Sequence, residues 1–131
     1  MSFNENFSEK LALKNLKESI EFLKYKKIIS NEHKILVAIK NVSKKEIQKL
    51  NKQYRKKNQA TDILSFGYQF NEKILEGDLI LCWEIIQKNA QEDKQKVEKE
   101  LKKNLIHGCL HLIGLEHSKK MFELQAEFLK L

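Results

Sequence analysis

The segment HGCLHLIGLEH, residues 107–117, restricts the fold of this chain most tightly, because it gathers three of the four histidines in the sequence. His107 and His111 are four residues apart, so a helix sets them on one face with Cβ atoms roughly 5–6 Å apart. Two imidazoles at that separation can converge on one ion at the ~2.0–2.1 Å of a zinc–nitrogen bond. His117 cannot join them on a continuing helix, because six more residues carry it about 9 Å further along the axis. The chain has to turn back. Gly114 stands where the turn is needed, and glycine tolerates the left-handed conformation that ends helices. Three protein ligands leave a fourth position for water, the pattern of a catalytic zinc rather than a structural one.

The spacing H-x3-H-x2-G-x2-H is that of the metzincin proteases, but the residue types part at one decisive place. Those enzymes carry a glutamate directly after the first histidine as general base, and here that position is Gly108. A peptidase of that kind would lack its base, so the protease reading drops sharply. A lone histidine is usually an ordinary core or surface residue. His33 is one such, following Asn31 and Glu32 in an expected loop and read as solvated.

The rest of the pattern sets helices around a few strands. Residues 8–27 read as an amphipathic helix capped by Ser8, with Leu13, Leu16, Ile20 and Leu23 inward at three- and four-residue steps. The run KILVAIKNV, residues 34–42, is short and β-branched, hence a strand. Ser43 and Glu46 form a capping-box pattern that opens a helix through about Tyr54. DILSFGYQF (62–70) and GDLILCW (77–83) read as an antiparallel hairpin, with turn residues in the intervening NEKILEG. From Glu84 to Ile113 the chain is helical in character, in two pieces around Gln91–Lys94, and Gly114 stops it. Ser118 caps a last helix with Met121, Leu124, Phe128 and Leu131 inward. Without strict βαβ alternation the class is α+β. There is no repeat, low-complexity tract or proline, so one domain over residues 1–131 is expected.

Composition narrows the class of partner. Mean hydropathy is −0.55, and no apolar run approaches the length that crosses a bilayer. The opening MSFNENFSEK is polar and acidic, unlike a signal or transit peptide. The expected compartment is the cytoplasm, with no membrane partner. Cys82 and Cys109, neither in a CxxC pair, fit a reducing compartment and argue against a cysteine-based zinc site. A net charge of +7 and a pI of 9.3 favour an anionic partner, nucleic acid being the commonest, although a bias toward Lys, Asn and Ile supplies part of the excess. In LNKQYRKKNQATDILSF, residues 50–66, Lys52, Arg55, Lys56 and Lys57 cluster between a helix and a strand. A basic loop beside a site can grip phosphates. Arginine can also neutralise charge developing in phosphoryl transfer through its planar fork of donors. Taken alone, a KQYRKK run is more often a solvated helix end.

These segments together resemble the YbeY-type endoribonucleases, the bacterial rRNA maturation factors. HGCLHLIGLEH is similar to that family's HGxLHLxGYDH signature, LNKQYRKKNQATDILSF to its LNxxYRxxxxPTDVLSFP segment, and GDLILC to its GDIVI(C) strand. Order and approximate spacing agree, and the closing MFELQAEFL resembles the family's Met- and Glu-containing last helix. The likeness covers roughly residues 35–130. It implies a small mixed β-sheet flanked by helices, with a zincin-like metal-site helix ending at a glycine turn. It also implies one zinc per chain in a cleft, and cleavage of single-stranded RNA in rRNA maturation and ribosome quality control, with ribosomal components as partners. By position, the family's zinc ligands map to His107, His111 and His117 and its functionally important arginine to Arg55; Lys52, Lys56 and Lys57 stand as RNA-contact candidates.

The sequence departs from the family pattern at Leu115-Glu116, which replace Tyr-Asp, and at Ala60 and Gly67, which replace prolines. Glu116 keeps the carboxylate one methylene further out, which bears on the geometry around the ligands more than on metal binding. Ala60 and Gly67 are expected to loosen the loop that places Arg55. Two other classes fit the same residues. One is a zinc-containing rRNA-binding assembly factor with weak or incidental hydrolysis. The other is a zinc hydrolase on another substrate, esters remaining open. All-imidazole sites also accept nickel or copper.

Overall fold

The computed structural model describes residues 7–131. Its elements run α1 (Glu9–Tyr25), β1 (Lys34–Asn41), α2 (Lys44–Arg55), β2 (Ile63–Phe70), β3 (Ile74–Leu81), α3 (Trp83–Glu92), α4 (Val97–Leu112) and α5 (Lys119–Leu129). The strands form one sheet in the order β1-β3-β2, with β1 parallel and β2 antiparallel to the central β3. This is the expected α+β class with a small mixed sheet. No helix of the described residues is long and apolar enough to cross a membrane.

Local sequence decides where the helices begin. The Ser8, Ser43 and Ser118 hydroxyls accept from the N–H groups of Leu11, Glu46 and Met121 at 3.1, 3.1 and 3.2 Å. Each satisfies a donor that the first helical turn leaves without an intrahelical partner. The chain breaks between α3 and α4 where Lys94 takes a left-handed φ of 55°.

The core forms on both faces of the sheet. On β3, Leu75, Gly77, Leu79 and Leu81 alternate inward. Against that face α4 brings Leu101, Leu105, Ile106, Cys109 and Leu110, and α1 and α5 add Leu16, Ile20, Leu23, Met121, Leu124 and Phe128. On the other face α2 packs Ile47 with Val42, Leu64 and Cys82. Both cysteines are free and buried, and burial pushes the Cys109 thiol up to about 12. The helix α4 lies closest to the sheet where side chains vanish. A Cβ on Gly108 would stand 2.8 Å from Leu79 Cδ2 and 2.9 Å from Ile63 Cδ1. One on Gly77 would stand 2.6 Å from Leu112 Cδ2 and 2.7 Å from the Phe66 carbonyl oxygen.

Four expectations change. Leu13 is 46% exposed; the buried stripe of α1 runs through Ala12, Leu16, Ser19, Ile20 and Leu23 instead. Leu131 lies past the end of α5 and is 86% exposed. The third strand begins at Ile74, because Asn71 Oδ1 accepts from the N–H groups of Lys73 and Ile74 at 2.8 and 3.0 Å and closes the turn early. Gly77 therefore lies inside the strand, and Trp83 opens α3 rather than ending a strand. His33 is tied in rather than merely solvated. Its Nδ1 accepts from the Ser30 N–H at 2.8 Å, its Nε2 donates to the Asn71 carbonyl at 2.6 Å, and its ring stacks on Phe70.

The close contact of α4 with β3 generates a paired prediction. Gly77→Ala drives a Cβ into Leu112 and into a main-chain oxygen, an overpacking expected to cost about 1–3 kcal/mol in urea unfolding. At the neighbouring Gly67 a Cβ would clear Leu112 by 3.8 Å. Gly67→Ala is accordingly expected to cost less than about 1 kcal/mol. Equal losses for the two variants would contradict the contact as described.

Candidate metal centre

The helix α4 carries His107 and His111 on successive turns and then ends in a Schellman motif. The Gly114 N–H donates to the His111 carbonyl and the Leu115 N–H to the Leu110 carbonyl, both at 3.0 Å, with Gly114 at φ 88°. Leu115 packs on the core, the chain reverses, and His117 comes back over the first two rings. His107 Nε2 stands 3.0 Å from His111 Nε2 and 3.2 Å from His117 Nε2. One ring nitrogen from each of the three lies within 4.8 Å of the others. Two nitrogens bonded at about 2.0–2.1 Å to one tetrahedral ion stand roughly 3.3 Å apart. The donor set therefore fits a metal ion: one cation satisfies three converging lone pairs at once, whereas shared protons satisfy them only pairwise.

The surroundings hold two of the rings in the ligand form. Gln125 Oε1 lies 2.9 Å from His107 Nδ1. An amide oxygen only accepts, so Nδ1 carries the proton and Nε2 keeps its lone pair, the tautomer that metal binding needs. Burial lowers the His107 pKa, with the Gln125 hydrogen bond working against it. Burial first, then the charges of His107, His117 and Arg55, push His111 down to about 4. Both rings are thus neutral near pH 7, as a metal ligand must be.

The histidines line a cleft of about 680 Å³ together with Arg55, Lys57 and Thr61. Arg55 is the last residue of α2 rather than a loop residue. Its Nη2 donates to the Ser65 carbonyl at 2.6 Å, and its guanidinium lies 5.8 Å from the centre of the Phe66 ring. Lys52 and Lys56 are exposed and lie outside the cleft lining; Lys56, at φ 61°, is the left-handed cap of α2. The loop after α2 is tied back to the helix. The Asn51 carbonyl accepts from the N–H groups of Lys56 and Lys57, and Asn51 Nδ2 donates to the Gln59 carbonyl at 2.9 Å. Gly67 sits in β2 opposite Gly77, away from that loop. Glu116 is exposed.

The glycine that stands where the metzincin glutamate would be faces the sheet: a Cβ on Gly108 would press on the side-chain ends of Leu79 and Ile63, which would have to shift. Sequence reasoning missed Gln125, Lys103, Asn104 and Asp62, all of which line the cleft. Asp62 and Gln125 lay within segments already singled out, but nothing local marked Lys103 or Asn104.

A family model described as Endoribonuclease YbeY matches residues 2–131. The chain belongs to the endoribonuclease YbeY family. It is 39% identical over 124 residues to the endoribonuclease YbeY of Thermotoga maritima, covering 90% of this chain and 79% of that one. It is 37% identical over 100 residues to that of Polynucleobacter asymbioticus, covering 72% of this chain and 64% of the other, just under two thirds of its length. A solution structure of a Thermotoga maritima protein is similar with a TM-score of 0.63 at 36% identity, covering 96% of this chain and 83% of that one.

For this member of the YbeY family the geometry predicts a role for Gln125 that does not require it to touch a metal. Gln125→Leu removes the acceptor that fixes the His107 tautomer. Metal affinity, read by competition with a chromogenic chelator, should weaken roughly 10–100-fold with the fold intact, the usual cost of losing such a partner. Unchanged affinity would mean that Gln125 does not orient the ring.

Proposed function

We propose that this chain, as one domain over residues 1–131, is a zinc-dependent endoribonuclease acting on single-stranded RNA in rRNA maturation and ribosome quality control in the cytoplasm. His107, His111 and His117 would hold one zinc. The observation that carries the reading is the convergence of three imidazole nitrogens in a cleft that also holds Arg55, Lys57 and Lys103. The family description supports RNA as the substrate. The ribosomal role rests on the resemblance of the motifs.

Zinc bound there supplies Lewis acidity toward a phosphoryl oxygen and acidifies a water molecule. The chain's own residues supply the rest. Lys57 and Lys103 offer point charges to the phosphates of the strand, and a net charge of +7 favours the approach of an anion. Arg55 spends one N–H on the Ser65 carbonyl and rests near the Phe66 ring. A guanidinium carries five N–H donors in a rigid fork, so others remain to pair with the non-bridging oxygens as charge builds on phosphorus. With a glycine at position 108, such a donor is the evident source of transition-state stabilisation from protein.

Arg55→Ala tests this reading. Bound metal should be retained, stability should change by about 1 kcal/mol, the worth of one hydrogen bond, and single-turnover cleavage of single-stranded RNA should fall by roughly 10²–10³. Arg55→Lys should recover little, because a point charge does not reproduce the fork. Cleavage by Arg55→Ala at the wild-type rate would end the catalytic assignment and leave the metal assignment standing.

A further inference from the structure

Cleavage of a phosphodiester by an oxygen nucleophile moves two protons. The attacking oxygen, from water or from the neighbouring 2′-hydroxyl, forms a bond to phosphorus and gives up a proton. The bond from phosphorus to the leaving ribose oxygen breaks, and that oxygen departs with the electron pair and takes up a proton. The first proton needs an acceptor near the histidines. The place after His107 does not provide one, because residue 108 is a glycine. Nor can the Nε2 atoms of the rings, which face one another, or Nδ1 of His107, which is committed to Gln125.

Among the described residues that line the cleft, one is a carboxylic acid: Asp62. It stands immediately before β2, and its carbonyl accepts from the Cys82 N–H at 2.9 Å, which pins its backbone to the sheet. Its carboxylate accepts from Thr61 Oγ1 at 3.3 Å and from Asn89 Nδ2 at 3.4 Å. Both contacts are long, and an ionised carboxylate has about four acceptor sites, so it keeps lone pairs for a further donor. A carboxylate among Arg55, Lys57 and Lys103 repels the phosphates those residues attract, and a group of that sign in such a place is suited to a donor on the substrate. Its charge is felt at the His107 ring.

We propose that the Asp62 carboxylate is the general base of the reaction, taking the proton from the oxygen that attacks phosphorus. The proposal rests on the RNA-cleaving reading and supplies the part which the metzincin glutamate would otherwise play.

The test uses the full chain with its metal, single-stranded RNA under single-turnover conditions, and the near-isosteric Asp62→Asn. The amide oxygen can still accept from Thr61 or Asn89 but has little basicity. The rate should fall by roughly 10²–10⁴, the usual contribution of a positioned acid or base. Bound metal and the Kd for RNA should stay within about threefold, readouts independent of turnover. In Asp62→Ala, added formate should restore cleavage in proportion to its concentration, as a small base entering the vacated space. A substrate with 2′-deoxyribose at the scissile position identifies the nucleophile: persistent cleavage means water, abolished cleavage the hydroxyl, and the nucleophile so identified gives its proton to Asp62. Cleavage by Asp62→Asn at the wild-type rate, or a loss that only tracks lost metal, overturns the proposal and leaves the nuclease reading intact. Failure of the metal-loaded wild type to cut any RNA overturns both.

Discussion

Gly108 and Gly77 let α4 lie directly on β2 and β3, with Leu79, Ile63 and Leu112 occupying the volume that two Cβ atoms would need. That contact sets the rotation of α4 about its own axis. With Gly108 and Leu112 against the sheet, the 3.6-residue repeat puts Asn104, His107 and His111 on the flank that opens into the cleft. The same repeat sends Leu101, Leu105, Ile106, Cys109 and Leu110 into the core. A larger residue at either glycine would press on what lies beneath it, and any shift of the helix would carry His107 and His111 with it. A side chain at position 108 would have to displace the ends of Leu79 and Ile63, so the difference from the metzincin pattern bears on packing as well as on chemistry.

At His111 burial and the neighbouring charges act in the same direction, but not equally, and at His107 the Asp62 charge works against burial. Desolvation is the leading cause of the lowered pKa at both rings, ahead of every neighbouring charge. The cleft wall, more than its cationic rim, therefore keeps the imidazoles neutral. This leaves Arg55 and the lysines available for an anionic strand without compromising the ligand form of the rings. Gln125 then selects which nitrogen of His107 is bare.

The part of the site that was legible in the sequence is the part encoded locally. An i,i+4 histidine pair and a helix-ending glycine are separated by fewer than two turns, and the turn geometry follows from residue type alone, as the φ of 88° at Gly114 bears out. Serine caps and the β-branched run of β1 were readable for the same reason. Features that depend on a distant partner were not. Gly77 looks like a turn residue until Leu112 is known to rest on it, and Leu13 looks buried until α4 settles which flank of α1 it covers. Gln125 and Asp62 reach the cleft from α5 and from the start of β2, places that no periodicity connects with α4. The tie that holds the loop after α2, from the buried Asn51 amide to the Gln59 carbonyl, is of the same kind.

The central claim is that three imidazole nitrogens, from His107, His111 and His117, share one transition-metal ion. X-ray absorption at the metal edge, on protein purified with its metal, addresses it most directly. The account predicts a four-coordinate shell at about 2.0–2.1 Å, with the outer-ring scattering of three imidazoles and one further light donor. A shell of oxygen donors without imidazole scattering, or a spectrum unchanged when the three histidines are replaced together, would contradict it.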